Sequence, residues 1–340
     1  MKNHDVRMDL LRVAGAFAVV WLHVSASVVV TSPDMYSSAW LVGNLFDSLS
    51  RWSVPIFVMV SGALLLSGAV ETDIRSFYRR RATRLLPPLV FWTMFYIFLQ
   101  QRGGHGPTAI AVFKSVVTGT PYFHLWYLYM LVGLYLITPF LHHIVIASSS
   151  RAQLFFIAST FAIAAIETSL IHLTAGKPTT FLSSFLPYVA YFVAGHYLYV
   201  QAKDEWSRKL YFLLAVLCGV LVAFATGALL TVLGPKSWEV MYSYLNPIVI
   251  VMSICIFRLC LGFNFSSCAV SALLHRIAPI TLGIYLIHPF WLIVLGKFGL
   301  TPFLLHPAVG IPLTTVAAFC LSAVSAEFIA AIPLLRATVK

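Results

Sequence analysis

Charge is what this sequence has least of. Of 340 residues, 22 are Lys or Arg and 11 are Asp or Glu, 10% in all, where a soluble globular chain carries about 25%. So little charge excludes ordinary folding around a single water-covered core. Cysteine is also scarce. The five, Cys218, Cys255, Cys260, Cys268 and Cys320, lie in or beside apolar segments. None has the paired spacing of a zinc or redox site, so they are read as small packing residues. No Gly-x-Ser-x-Gly elbow and no metal-ligand set is visible, which disfavours a serine hydrolase and a metalloenzyme.

What the chain has instead is apolar length. Hydrophobic residues make up 60%, and the mean hydropathy is +0.90. Runs of ~20 apolar residues can each cross a hydrocarbon layer about 30 Å thick as helices, which satisfy their own backbone polar groups. The runs are continuous rather than alternating, against a β-barrel. The expectation is an all-α, polytopic membrane helical bundle formed by residues 1–340 as one domain. Ten spans are placed at 10–31, 53–69, 85–101, 125–141, 153–172, 184–201, 210–233, 244–262, 279–298 and 308–333. The first lacks a small-residue cleavage site and carries Asp5 and Asp9 in its head, so it is not read as a signal peptide.

The net charge of +11 raises nucleic acid, but its distribution is topological. With the N-terminus cytoplasmic, sixteen Lys and Arg fall on that side. The other six are Arg51, Arg102, Lys114, Lys177, Lys236 and Lys297. Cytoplasmic loops collect Lys and Arg, so both termini are placed inside and no nucleic-acid partner is expected. The longest outer segments are 32–52, with Trp40, Phe46 and Trp52, and 102–124, with Gly103, Gly104, Pro107 and Pro121. Both read as interfacial loops.

In the first span Arg12 and His23 are eleven residues apart, three helical turns, so they share a face with a rise of about 16 Å between them. Asp9 and Asp5 lie close to the same face. Alone, Arg12 reads as a snorkelling anchor and His23 as a packing residue. Together they draw one polar stripe into the bilayer, where polar groups usually face a cavity. A histidine there can act as a general base. Further on, in the loop or hinge expected after the second span, five arginines fall within Arg75–Arg84, with Arg80, Arg81 and Arg84 at helical-neighbour spacing. They suit either phosphate recognition or an inside anchor on anionic lipid.

Arg7-x-Asp9-Leu-Leu-Arg12 with His23 at the end of an R-x10-H spacing, Pro55-Ile-Phe-Val-Met-Val-Ser61-Gly62, Arg81-x-x-Arg84, Leu125-Trp126-Tyr127-Leu128 and Gly283-Ile-Tyr285-Leu-Ile-His288 occur in that order. The set resembles the integral-membrane acyltransferase-3 family, bacterial O-acetyltransferases of surface polysaccharides included, in members without a fused esterase domain. The resemblance implies transfer of an acyl group, usually acetyl, from cytoplasmic acyl-CoA to a hydroxyl of a cell-surface or lipid-linked glycan, in the inner membrane of a bacterium. It implies that His23 and Arg12 are the essential pair and that Arg81 and Arg84 handle acyl-CoA.

Other intramembrane polar groups leave two readings each. His288 precedes Pro289, which frees the Tyr285 carbonyl, so it either fills that position or lines the same cavity as His23. Glu167 is a lone carboxylate in the fifth span, able to bind a sugar hydroxyl or to sit protonated. Trp126, with His124, Tyr127 and Tyr129, is a sugar platform or an interfacial aromatic belt. His142, His143, His196 and Arg258 read as structural. The mechanistic expectation is that acyl-CoA phosphates sit near Arg80, Arg81 and Arg84, and that the thioester reaches His23. His23 then deprotonates the acceptor, while Asp9 and Arg12 orient the inner end. A transporter or flippase for a lipid-linked sugar or small organic anion is the competing reading, since it also needs intramembrane charge and a basic inner mouth.

Overall fold

A computed structural model describes residues 5–32, 34–68, 73–102, 106–174, 184–200, 207–234, 238–265 and 268–340. Lys177, Lys203 and Lys236, used in the topological count, and Gly103 and Gly104 lie outside the described residues. Among those described, the secondary structure is entirely helical. The helices are α1 (Val6–Thr31), α2 (Ser38–Ser50), α3 (Ser53–Leu66), α4 (Ile74–Arg102), α5 (Ala109–Thr118), α6 (Trp126–Ala147) and α7 (Ser150–Thr174). There follow α8 (Val189–Val200), α9 (Arg208–Leu233), α10 (Trp238–Tyr242), α11 (Pro247–Leu261), α12 (Cys268–Ile277), α13 (Thr281–Lys297) and α14 (Pro307–Ala331).

Among the described residues, eight stretches of helix are long and apolar enough to cross a membrane: Val6–Thr31, Ser38–Leu66, Ile74–Arg102, Trp126–Ala147, Arg208–Leu233, Val240–Leu261, Ala269–Lys297 and Pro307–Ala331. Each overlaps one expected span. The expected fifth and sixth spans fall on α7 and α8, which are not among the eight. The protein is a polytopic helical membrane bundle.

Local chemistry sets the helix starts. Asp5, Ser37, Ser207 and Asn246 each accept a backbone N–H of the first turn with their side chain, which satisfies donors a helix cannot use itself. Pro247 and Pro307 occupy first positions, where a missing N–H costs nothing. Burial alone would raise the Asp5 carboxyl, but hydrogen bonds and charge from Arg7 outweigh it and hold it below the usual carboxylate range. Arg7 also reaches the Leu261 carbonyl at 3.3 Å, and the Tyr199 hydroxyl donates to Asp5. The start of α1 therefore meets the ends of α8 and α11. At the opposite end, His306 before α14 bonds Ser38 of α2 at 3.1 Å.

Two expectations about loops are corrected. The segment 32–52 is not an interfacial loop: Ser38–Ser50 is helical and packs against α1 and α9. Its polar residues Asn44, Asp47, Ser48 and Arg51 are spaced i, i+3, i+4, i+7 and all are buried. A window average reads them as hydrophilic, whereas the helix gathers them on one inward face. Arg51 consequently is no exposed outer charge; it pairs with Asp47 and donates to the Tyr242 carbonyl. Likewise the arginine-rich stretch expected as a loop is the start of α4, since arginine is a good helix former. Asp73 caps it: the Ser76 hydroxyl, then the backbone N–H groups of Arg75 and Ser76, hold its carboxyl below the ordinary range.

The tightest helix pair is α3 with α8. A Cβ on Gly62 would run into the Phe192 carbonyl, and one on Gly195 into that of Met59. Small residues let backbones approach where lipid supplies no hydrophobic drive. The Ser61-Gly62 element thus serves packing through its glycine.

Candidate active site

His23 projects from the second half of α1 into the bundle. Its ring stacks on that of His288 with centroids 5.1 Å apart and planes 18° from parallel. Phe123 meets it edge-on at 4.9 Å. The position of His288 follows from its neighbour. Pro289 lacks an N–H, so the Tyr285 carbonyl has no helical donor. His288 Nδ1 stands 2.6 Å from that oxygen. A carbonyl can only accept, so Nδ1 carries the proton and Nε2 presents its lone pair. Nε2 is buried with no hydrogen-bond partner. His288 thus fills the freed backbone position, and its ring lies against that of His23.

A third imidazole joins them. His124, just before α6, lies edge-on to His288 at 5.6 Å. Its carbonyl accepts from the Tyr285 hydroxyl, and neither of its ring nitrogens has a partner in hydrogen-bonding geometry. Among the described residues no three His, Cys, Asp or Glu side chains converge as metal ligands, these three included.

The histidine cluster lies between two different surroundings. Toward the C-terminal end of α1, His23 opens into a crevice of about 160 Å³ shared with Ser27, Leu292, Thr301, Pro302 and Thr314. Toward the N-terminal end runs a column of tyrosines. Tyr285 packs edge-on against Tyr127 at 5.7 Å. The hydroxyls of Tyr127 and Tyr135 both reach Ser61. Arg81 sets its guanidinium 5.9 Å from the Tyr135 ring centroid and 5.4 Å from that of Phe77, within cation–π range. Arg12 and Arg84 also act electrostatically on Tyr135. Arg12 and Arg81, 69 positions apart in the chain, thus stand at the same end of the column.

Arg12 is also 3.8 Å from the buried Asp9, whose other oxygen is 3.3 Å from His275 Nδ1 of α12. The arrangement is basic at one end, imidazole in the middle and hydroxyl-lined at the other. The acyltransferase-3 domain profile matches residues 5–327. The chain belongs to that acyltransferase family. Searches of curated proteins and of solved structures each returned no match.

The remaining expected site residues of the acyltransferase are distributed as follows. Arg80 and Arg84 are exposed on α4 beside the half-buried Arg81. Trp126 does not join the histidines. It stacks on Tyr244 at 5.8 Å and packs against Tyr188 at 5.7 Å. Glu167 is exposed on α7, a helix packed on α8, and is not brought to His23. Two groups escaped sequence reasoning. His124 was grouped with an outer aromatic belt, though it is buried. Arg51 was counted as a loop charge, though its charge is felt at His23. The i, i+3, i+4, i+7 pattern of Asn44, Asp47, Ser48 and Arg51 was the available signal.

Proposed function

We propose that this acyltransferase is an O-acyltransferase of the cytoplasmic membrane of a bacterium. It moves an acyl group, acetyl in the first instance, from acyl-CoA to a hydroxyl of a cell-surface or lipid-linked glycan, with His23 as general base. The observation that carries this reading is the placement of His23 between a hydroxyl-lined crevice and the tyrosine column that ends at Arg12 and Arg81. Such a position lets two substrates approach one imidazole from opposite ends.

In the proposed reaction, the phosphates of acyl-CoA rest on Arg80, Arg81 and Arg84, which offer planar, multidentate donors. The pantetheine arm follows the column past Tyr135 and Tyr127. His23 accepts the proton of the acceptor hydroxyl as that oxygen bonds the thioester carbonyl carbon. The carbon–sulfur bond then breaks, and the proton passes to the CoA sulfur. His288, fixed by its bond to the Tyr285 carbonyl, holds the His23 ring in place by stacking. Asp9 keeps Arg12 directed at the inner end of the path.

The test uses purified protein in detergent with acetyl-CoA and a glycan acceptor. Acceptor-dependent release of free CoA, lost in His23→Ala while the fold is retained, is the expected result. Translocation of a lipid-linked sugar or organic anion without thioester consumption would replace this reading with a transporter.

A further inference from the structure

Buried helical hydroxyls in this protein follow a rule. Ser25, Thr138, Thr226, Ser253 and Ser322 each donate to the carbonyl four residues back, as hydroxyls in apolar helices commonly do. Ser53, Thr315 and Thr314 depart from it, and of these Thr314 on α14 is the one at the crevice. It is 2% exposed, its Oγ1 has no partner, and it lines the crevice that His23 opens into. A buried hydroxyl without a partner is costly, and this one shares the crevice lining with the His23 imidazole.

The rest of the lining fits one chemistry. Ser27 and Thr301 add hydroxyls, Leu292 and Pro302 add apolar walls, and among the described residues no Lys, Arg, Asp or Glu contributes. The wall is held in place: a Cβ on Gly310 would strike the Pro302 carbonyl, so the loop between α13 and α14 lies directly on the α14 backbone. The crevice volume of about 160 Å³ is room for one small ring. The loop stands at the end of α1 opposite Arg12 and Arg81.

We propose that this crevice is the acceptor subsite, that it takes an uncharged sugar ring, and that Thr314 hydrogen-bonds the ring while His23 receives the proton of the reacting hydroxyl. The assignment of the ring as the acceptor rests on the acyl-transfer reading. Its consequence is directional: the acceptor enters from the membrane face opposite the arginine cluster. Charged sugars are excluded, because a carboxylate would be desolvated there with no cation among the described lining residues, Arg51 nearby being already paired with Asp47.

Saturation-transfer NMR on the purified protein, in a detergent without a sugar headgroup, reads binding without catalysis. The probes are methyl glucoside and the corresponding methyl glucuronide. The glucoside is expected to receive saturation. The signal should fall at least several-fold in Ser27→Trp, which fills the crevice mouth, and in Thr314→Val, and recover in Thr314→Ser. The glucuronide is expected to give a much weaker signal. Where transfer is measurable, Thr314→Val should raise the acceptor KM about three- to tenfold and leave the acyl-CoA KM unchanged, the effect of one neutral hydrogen bond. A missing wild-type signal, or one equal in Ser27→Trp, overturns the subsite even if His23-dependent transfer is found. A crevice-dependent signal without any transfer would instead overturn the acyl-transfer reading and leave a sugar site.

Discussion

His23 and His288 stand 265 positions apart in the chain, yet their rings stack at 5.1 Å. The stack exists because Pro289 frees a carbonyl that His288 then binds, which fixes one ring for the other to lie against. Two neutral imidazoles can stack in this way, whereas two protonated ones would repel. The contact therefore disfavours both rings being charged at once.

Replacing His23 with Gln should lower kcat by about 10²- to 10⁴-fold, the usual contribution of a positioned general base, while the KM for acyl-CoA changes little. Steady-state kinetics on protein whose thermal unfolding is unaltered checks this. An equal loss through KM alone would assign His23 to binding.

His288→Ala should destabilise the protein by about 1–3 kcal/mol, because it leaves the Tyr285 carbonyl buried and unpaired. The double variant His288→Ala/Pro289→Ala restores a helical N–H to that carbonyl and should recover part of the loss. Thermal unfolding of both in one detergent measures the difference. A double variant less stable than the single one would remove the proline from the explanation.

Arg81→Ala and Arg84→Ala should each weaken acyl-CoA binding by roughly ten- to a hundredfold for every charge-assisted hydrogen bond lost, with a steep salt dependence. Equilibrium binding of acyl-CoA at two ionic strengths reads this out. Unchanged affinity would leave the arginines as topological anchors.

Arg51→Met should cost about 3–5 kcal/mol by stranding the buried Asp47 charge, and the double variant with Asp47→Leu should cost less. Chemical or thermal unfolding of the single and double variants gives the comparison. If the double variant is the less stable, Arg51 acts through Tyr242, over whose ring it sits at 3.9 Å, rather than through its ion pair.

Much of this protein was legible before any coordinates. Apolar length and scarce charge gave the helical membrane bundle, and eight of the expected spans overlap helices long enough to cross. The inward stripe of α1 was also readable, since Arg12 and His23 are related by helical geometry alone. Misreadings arose where averaging hid periodicity. Polar residues on one face of α2 looked like a loop, and the arginines opening α4 looked like a hinge. In α2 the polar residues interrupt the apolar run but fall on one buried face; in α4 the arginines are good helix formers.

The sequence by itself determined that the long apolar segments are helical and which side chains of one helix share a face, because those relations are set by the 3.6-residue repeat and act over a few turns. Only the tertiary structure decided that His288 on α13 meets His23 and that His124, just before α6, meets His288, that Arg12 and Arg81 stand at the same end of the tyrosine column, and that Thr314 lines a crevice. Those meetings depend on which helices pack together and at what rotation. That choice is made by close contacts such as Gly62 on Phe192 and Gly310 on Pro302, between residues whose separation in the chain carries no trace of it.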